Sequence, residues 1–272
     1  MFGGMCIYDS DVDGGPYGLT YPVGTFGACH SDDDDNLYDD EEYYGEVNSG
    51  RDYAIDIQYF DVNSGEWCCA DKKLPYNVTS AQAVIVRDNT ALLSGGINVS
   101  SRNHKRLSAC IEVDLDTFDT NNAPDMIQRR VGHAAVCIDG VVMVIGGLAV
   151  TDEHPDTVFC EQLSPRDTHW RPMPPTQYMF RYCVAAVVDQ NIYVVGRAYN
   201  YIEMYDGNSW QRVGERPTFN PTYLFSYDGA LVLVGEFQKS AYVLTSTTDG
   251  ISWKKDIPVP CIEKVAEISQ VF

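Results

Sequence analysis

Two apolar runs, His133 to Ile138 and Val141 to Ile145, meet at Asp139-Gly140 and end on Gly146-Gly147. A type I′ turn needs φ > 0 at both central residues, so Asp-Gly between β-rich runs reads as a tight hairpin. The closing double glycine marks backbone that turns sharply or lies close to a neighbouring strand. This unit recurs. Ala81–Val86, the turn Arg87-Asp88-Asn89 and Thr90–Ser94 lead to Gly95-Gly96. Val184–Val188, Asp189-Gln190 and Asn191–Val195 lead to Gly196-Arg197. Tyr223–Tyr227, Asp228-Gly229 and Ala230–Val234 lead to Gly235-Glu236, and a fifth unit starts abruptly at Met1-Phe2-Gly3-Gly4. From Gly95 onward the first glycines are 51, 50 and 39 residues apart.

A third strand, a turn and an aromatic residue follow each hairpin. Ile57-Gln58-Tyr59-Phe60-Asp61 leads to Trp67, and Ile111-Glu112-Val113-Asp114 leads to Phe118. Val158-Phe159-Cys160-Glu161 leads to Trp170, Ile202-Glu203-Met204-Tyr205-Asp206 to Trp210, and Tyr242-Val243-Leu244 to Trp253. These aromatics are spaced by 51, 52, 40 and 43 residues, so all four tryptophans occupy one repeat position. A four-stranded unit of about 40 to 50 residues is the size of a propeller blade. One such sheet cannot bury either face alone, whereas radial stacking buries both. The large indole then fills the space between blades, and glycine admits the neighbouring backbone.

The hairpin, the double glycine and the spaced Tyr and Trp resemble the kelch repeat. The resemblance covers the chain outside residues 5–52, and the second and third units fit best. It implies an all-β, kelch-type propeller of about five four-stranded blades, one domain over residues 1–272. Arg197 and Glu236 replace the second glycine in the last two units, and Phe118 replaces Trp in the second, so looser packing is expected there. Val265-Ala266-Glu267-Ile268-Ser269-Gln270-Val271-Phe272 reads as a first strand, a turn and half of a second. Placed before Met1-Phe2-Gly3-Gly4, it completes the missing hairpin, so the two termini are expected to share one closing blade. A piece of a longer protein is the alternative. Residues 5–52 then form an insertion between the second and third strands of the first blade. A loop of that length is either functional or disordered.

Of the chain's net charge of −20, residues 1–66 carry −15. Such a field repels nucleic acid and anionic membranes and favours a basic partner or cations, although a solvated acidic loop gives the same composition. No apolar run reaches the roughly 18 residues of a membrane span. The first residues do not resemble a secretion signal, so a cytoplasmic monomer is expected. Cys110, Cys137, Cys160 and Cys183 fall in apolar strand-like runs, where a reduced cysteine acts as a small hydrophobe.

Asp9-Ser10-Asp11-Val12-Asp13-Gly14 matches the opening of a calcium loop, with Asp9, Asp11 and Asp13 as alternate carboxylates. Tyr17 and Thr20 stand where further acids are wanted, so a plain acidic turn is the competing reading. The five histidines show no ligand spacing, and His133 sits where kelch repeats use histidine for packing, so no other metal or cofactor is expected. No Ser-His-Asp set, phosphate loop or activated cysteine is present. The segment 31–46 interleaves nine acids with Tyr38, Tyr43 and Tyr44. In kelch domains that recruit partners, arginines entering the first strand line the central face and grip carboxylates. The resemblance assigns that place to Arg130, beside Arg129. Arg181 lies one residue out of register, and Arg197 takes a glycine position. A guanidinium fork suits a carboxylate, either a partner's or one within the chain. The expected function is a non-enzymatic scaffold that binds a protein partner through loops on one face. The alternative is a kelch-type enzyme or sugar-binding propeller with a site at the central channel.

Overall fold

The structure is a computed structural model that describes residues 5–7, 56–61, 64, 66–87, 89–98, 105–150, 160–227, 229–235, 241–247 and 250–257. Four antiparallel four-stranded sheets follow one another along the chain. The second blade consists of Gln82–Arg87, Thr90–Ser94, Cys110–Asp114 and Thr120–Ala123. The third consists of Ala134–Ile138, Val141–Ile145, Cys160–Leu163 and Arg171–Met173. The fourth consists of Val184–Val188, Asn191–Val195, Tyr201–Tyr205 and Trp210–Glu215, and the fifth of Pro221–Tyr227, Ala230–Gly235, Ala241–Thr247 and Gly250–Ile257. In each, neighbouring strands in sequence are neighbours in the sheet. The first strands of blades two to five lie side by side, which sets them at the inner edge of the array.

The first blade shows three strands, Met5–Ile7, Asp56–Asp61 and Glu66–Lys73. Its second strand is therefore Met5–Ile7 and not the Met1–Gly4 stretch read from sequence, and the insertion starts after Ile7. Ile7 pairs with Ile57 at the place where Ile145 pairs with Cys160. Gly3-Gly4 thus precede the strand and do not close it, because the register is set by the pleat of the third strand and not by glycine spacing. Residues 258–272 and 1–4 lie outside the described residues, and with them the shared closing blade.

The hairpin turns form as their composition dictates. Asp139 and Gly140 have φ of 51° and 79°, and Asp189 and Gln190 have φ of 48° and 64°. On the turns after the third strands of the second and fourth blades, Asp114 Oδ1 accepts the amides of Asp116 and Thr117, and Asp206 Oδ1 accepts those of Asn208 and Ser209.

The double glycines do more than end a strand. Gln82 pairs with Ser94, and beyond the glycines the same ladder resumes with Thr79 opposite Ile97. In the third blade Ala134 pairs with Ile145, and Val131 with Leu148. The glycines leave this ladder to bond the next blade. The Gly96 amide donates to Arg130 O at 3.0 Å, and that of Gly147 to Phe180 O at 2.8 Å. A Cβ on Gly146 would lie 2.5 Å from Phe180 O, with φ at +64°. Arg197, in the second-glycine position, differs: its amide donates to Arg181 O at 3.2 Å, in the segment that leads into its own blade.

Tryptophan closes the outer part of each seam. Trp170 Nε1 donates to Pro124 O at 2.8 Å, Trp210 Nε1 to Pro174 O at 2.9 Å, and Trp253 Nε1 to Glu215 O at 2.8 Å. Pro124 and Pro174 lie in the segments leading into the third and fourth blades, and Glu215 ends the last strand of the fourth blade. The rings join apolar clusters that straddle two blades: Trp170 with Leu92 and Val144, Trp210 with Val136 and Val194, Trp253 with Val184 and Leu233. Phe118 fills the first seam instead, stacked on Tyr59 with ring centroids 5.0 Å apart. Cys110, Cys160 and Cys183 are buried free thiols, pushed up to about 12, 11 and 12 by burial, which keeps them protonated and apolar.

Gly146→Ala is expected to destabilise the fold by ~2–4 kcal/mol, since strain at positive φ adds to a backbone clash. Gly207→Ala, where no atom lies within 4 Å of the added Cβ, is expected to cost only the backbone strain of ~1–2 kcal/mol. Urea unfolding of the two variants, with unchanged m-values, measures the difference.

Candidate partner-binding rim

Blades of this topology have two unlike rims. On one, the first two strands are joined by the short turns at 88–89, 139–140, 189–190 and 228–229. On the other, second strands end and third strands begin, and there lie the segments 74–81, 124–133, 174–183 and 216–220 that lead into the first strands of blades two to five. That second rim also carries the double glycines and two small extra sheets. Val78–Thr79, Ile97–Asn98 and Lys105–Arg106 form one, and Arg129–Val131 with Leu148–Val150 the other.

All four arginines singled out from sequence map to this rim, in different roles. Arg129 is exposed. Arg130 is 0% exposed. Its Nη2 donates to Glu161 Oε1 at 2.5 Å and its Nη1 to Gly146 O at 2.8 Å. Glu161 Oε2 also accepts the Ile127 amide at 2.6 Å, so this buried ion pair fixes the segment that leads into the third blade. Arg130 therefore serves the inside of the chain and offers no guanidinium to a partner, which corrects the expectation from resemblance. The reason is the acid at position 161, which the third strand delivers to the seam beneath it. Arg181 is half-buried, its Nε 3.1 Å from Met179 Sδ. Arg197 lies over the Tyr182 ring, 5.8 Å from its centroid. Tyr182 has φ of 46° and its ring lies against Gly132, where a Cβ would meet Cδ1 at 2.8 Å.

The fourth blade repeats the carboxylate without the arginine. Glu203 is 0% exposed and accepts the amides of Gln177 at 2.9 Å and Tyr178 at 2.8 Å. Phe180 holds the place corresponding to Arg130 and is fully buried. Burial raises the Glu203 carboxyl above its usual range, against the pull of the two amides. Arg216, missed in the sequence, is buried and donates to the carbonyls of Gly196 at 3.0 Å, Arg197 at 3.2 Å, Pro217 at 2.8 Å and Phe219. It lies between Glu215 and Pro217, in a stretch with no periodicity to mark it as buried. An acid inside an apolar strand, as at Glu161 and Glu203, was the available signal for a buried polar partner.

His133 is 0% exposed, its Nε2 3.2 Å from Ser94 Oγ of the preceding blade. Burial and the Arg130 guanidinium hold its imidazole well below the ordinary range, so it packs as a neutral ring. Among the described residues no group of three His, Cys, Asp or Glu side chains is placed to hold a metal ion. Asp9, Asp11, Asp13 and the acidic segment 31–46 lie outside the described residues. Among the described residues, no helix is long and apolar enough to cross a membrane.

Arg130→Met should cost about 3–5 kcal/mol in a urea titration at neutral pH, because it leaves the Glu161 charge buried without its cation. Glu203 supplies a pH signature. The folded chain holds its proton above the unfolded value of 4.5, so this group contributes most below pH 4.5 and its contribution falls as pH rises through the raised value. Glu203→Gln is expected to flatten that fall in urea midpoints measured across the acid range.

No family model matches the chain. "Kelch repeat and BTB domain-containing protein 2" of cowpox virus is 24% identical over 147 residues, which cover 54% of this chain and 25% of that protein. "Kelch repeat protein B10" of vaccinia virus is 26% identical over 146 residues, 52% of this chain and 86% of that protein. The match thus spans a quarter of the cowpox protein's length and most of the vaccinia one. The solved structure of YjhT resembles this fold with a TM-score of 0.60, at 12% identity, over 73% of this chain and 75% of its own. The repeated four-stranded blades are those of a kelch-type β-propeller fold, and the sequence is similar to kelch-repeat proteins over about half its length.

Proposed function

We propose that this propeller is a non-enzymatic scaffold that binds a protein partner through the rim bearing the double glycines. The carrying observation is the asymmetry of the connections. On that rim the second strands end and the third begin, 14 or more residues apart in sequence in the first three blades, while the opposite rim joins first to second strands within two residues and third to fourth within seven. Loops on a rigid frame are where recognition residues are free to vary. Kelch-repeat proteins generally mediate protein interactions, and the relatives named above support that class of function here.

Exposed Arg129 and half-buried Arg181 and Arg197 supply cationic contacts for a partner's carboxylates, and Tyr182 supplies an aromatic one. Recognition rests on complementarity between these side chains and the partner, with no bond made or broken. The charge of −15 on residues 1–66 adds a long-range attraction for a basic region of the same partner.

Affinity capture with the intact chain tests this reading. Arg129→Glu together with Arg181→Glu should lose a partner that the wild type retains, by about tenfold or more, as expected when charged rim contacts are reversed. Asn208→Ala, on the opposite rim, should leave it bound. Loss through the opposite rim alone, or retention by every variant, contradicts the proposal.

A further inference from the structure

One part of this rim is aromatic. Tyr178, in the segment leading into the fourth blade, meets Tyr201 at a centroid distance of 4.4 Å and Tyr199 at 5.6 Å. Tyr199 and Tyr201 lie nearly parallel, 10° apart, with centroids 6.3 Å apart. Tyr178 and Tyr201 are half-buried, whereas Tyr199 is 41% exposed. The cluster is held from below by Glu203, which pins the Tyr178 amide at 2.8 Å.

A cation already uses this cluster. The Arg212 guanidinium carbon lies 3.7 Å from the Tyr201 ring centroid, stacked on its face. Its Nη2 pairs with Glu215 Oε1 at 2.6 Å, and the Glu215 side chain is 64% exposed. The pair cancels the local charge of Arg212, so a second cation near the cluster meets no uncompensated repulsion from it. The net charge of the chain, −20, draws cations toward the surface in general. Aromatic faces and a neighbouring carboxylate together favour a guanidinium over an ammonium, because the planar ion both stacks and forks.

We propose that Tyr178, Tyr199 and Tyr201 form a stacking platform for an arginine side chain of a basic protein segment. The incoming guanidinium lies on the open face of Tyr199 and extends the Arg212–Tyr201 stack. This rests on the reading of the rim as a protein-binding face and specifies the partner's chemistry on its fourth-blade side.

The test uses the full chain and a fluorescein-labelled octapeptide of alternating arginine and glycine, read by anisotropy. Parallel titrations use lysine-for-arginine and aspartate-for-arginine peptides and a single-stranded RNA octamer. The arginine peptide is expected to bind, the lysine peptide more weakly, and any binding of the aspartate peptide to the rim arginines is expected to be unchanged by Tyr199→Ala. Tyr199→Ala should weaken the arginine peptide about fivefold, the size of an exposed cation–π contact. Tyr199→Phe, which keeps the ring, should bind as the wild type does. Tyr227→Ala removes a tyrosine that is 68% exposed on the opposite rim and should change nothing. An unchanged urea midpoint for Tyr199→Ala separates lost contact from lost fold.

Equal binding of lysine and arginine peptides, or binding indifferent to Tyr199→Ala, would show plain attraction to acidic charge and overturn the platform. Tyr199-dependent binding of the RNA in place of the peptide, or no peptide binding at all, would overturn it as well. If partner capture still depends on Arg129 and Arg181 while the peptide result is negative, the stacking platform alone falls and the scaffold reading stands.

Discussion

A two-stranded ladder that breaks at two residues, turns one amide outward and then resumes is the constraint on which the molecule depends. Gly96 and Gly147 each give an amide to the backbone of the following blade while their hairpins continue on either side. The close approach this needs leaves no room for a side chain at Gly146, where a Cβ would lie 2.5 Å from the next blade's Phe180 carbonyl. The indoles of Trp170, Trp210 and Trp253 make a second inter-blade connection further out, each through one hydrogen bond and one apolar cluster. Polar stitches near the axis and an aromatic wedge toward the outside explain why sheets too thin to be stable alone persist as a set.

The same device sorts the two rims. Because the stitches sit where second strands end, the segments that link blades are tied down on that side, with buried ions as further ties. Arg130 with Glu161, and Arg216 with a set of carbonyls, hold backbone that would otherwise be loose. Glu203 shows that the brace tolerates variation: with Phe180 in place of a cation, the carboxylate still holds two amides.

Most of the architecture was legible in the sequence because it is periodic. Hairpin turns, glycine pairs and tryptophans recur at steps that only stacked blades accommodate. Gly3-Gly4 misled because a glycine pair also suits a turn, and only the pairing of Ile7 with Ile57 shows which strand is meant. The site was less legible. Arg130 carries the sequence signal of a surface contact, and its burial depends on an acid 31 residues away, at Glu161. The tyrosines at 178, 199 and 201 come from two separate segments, so their meeting is a product of the fold and leaves no local pattern.

The claim that equivalent seams join the blades is tested most directly by hydrogen exchange of the indole N–H groups, followed by NMR in the intact chain. The account predicts that Trp170, Trp210 and Trp253 are protected and lose protection together, at the free energy of global unfolding. Exchange of these indoles at the rate of free tryptophan, or one seam opening independently of the others, would contradict it.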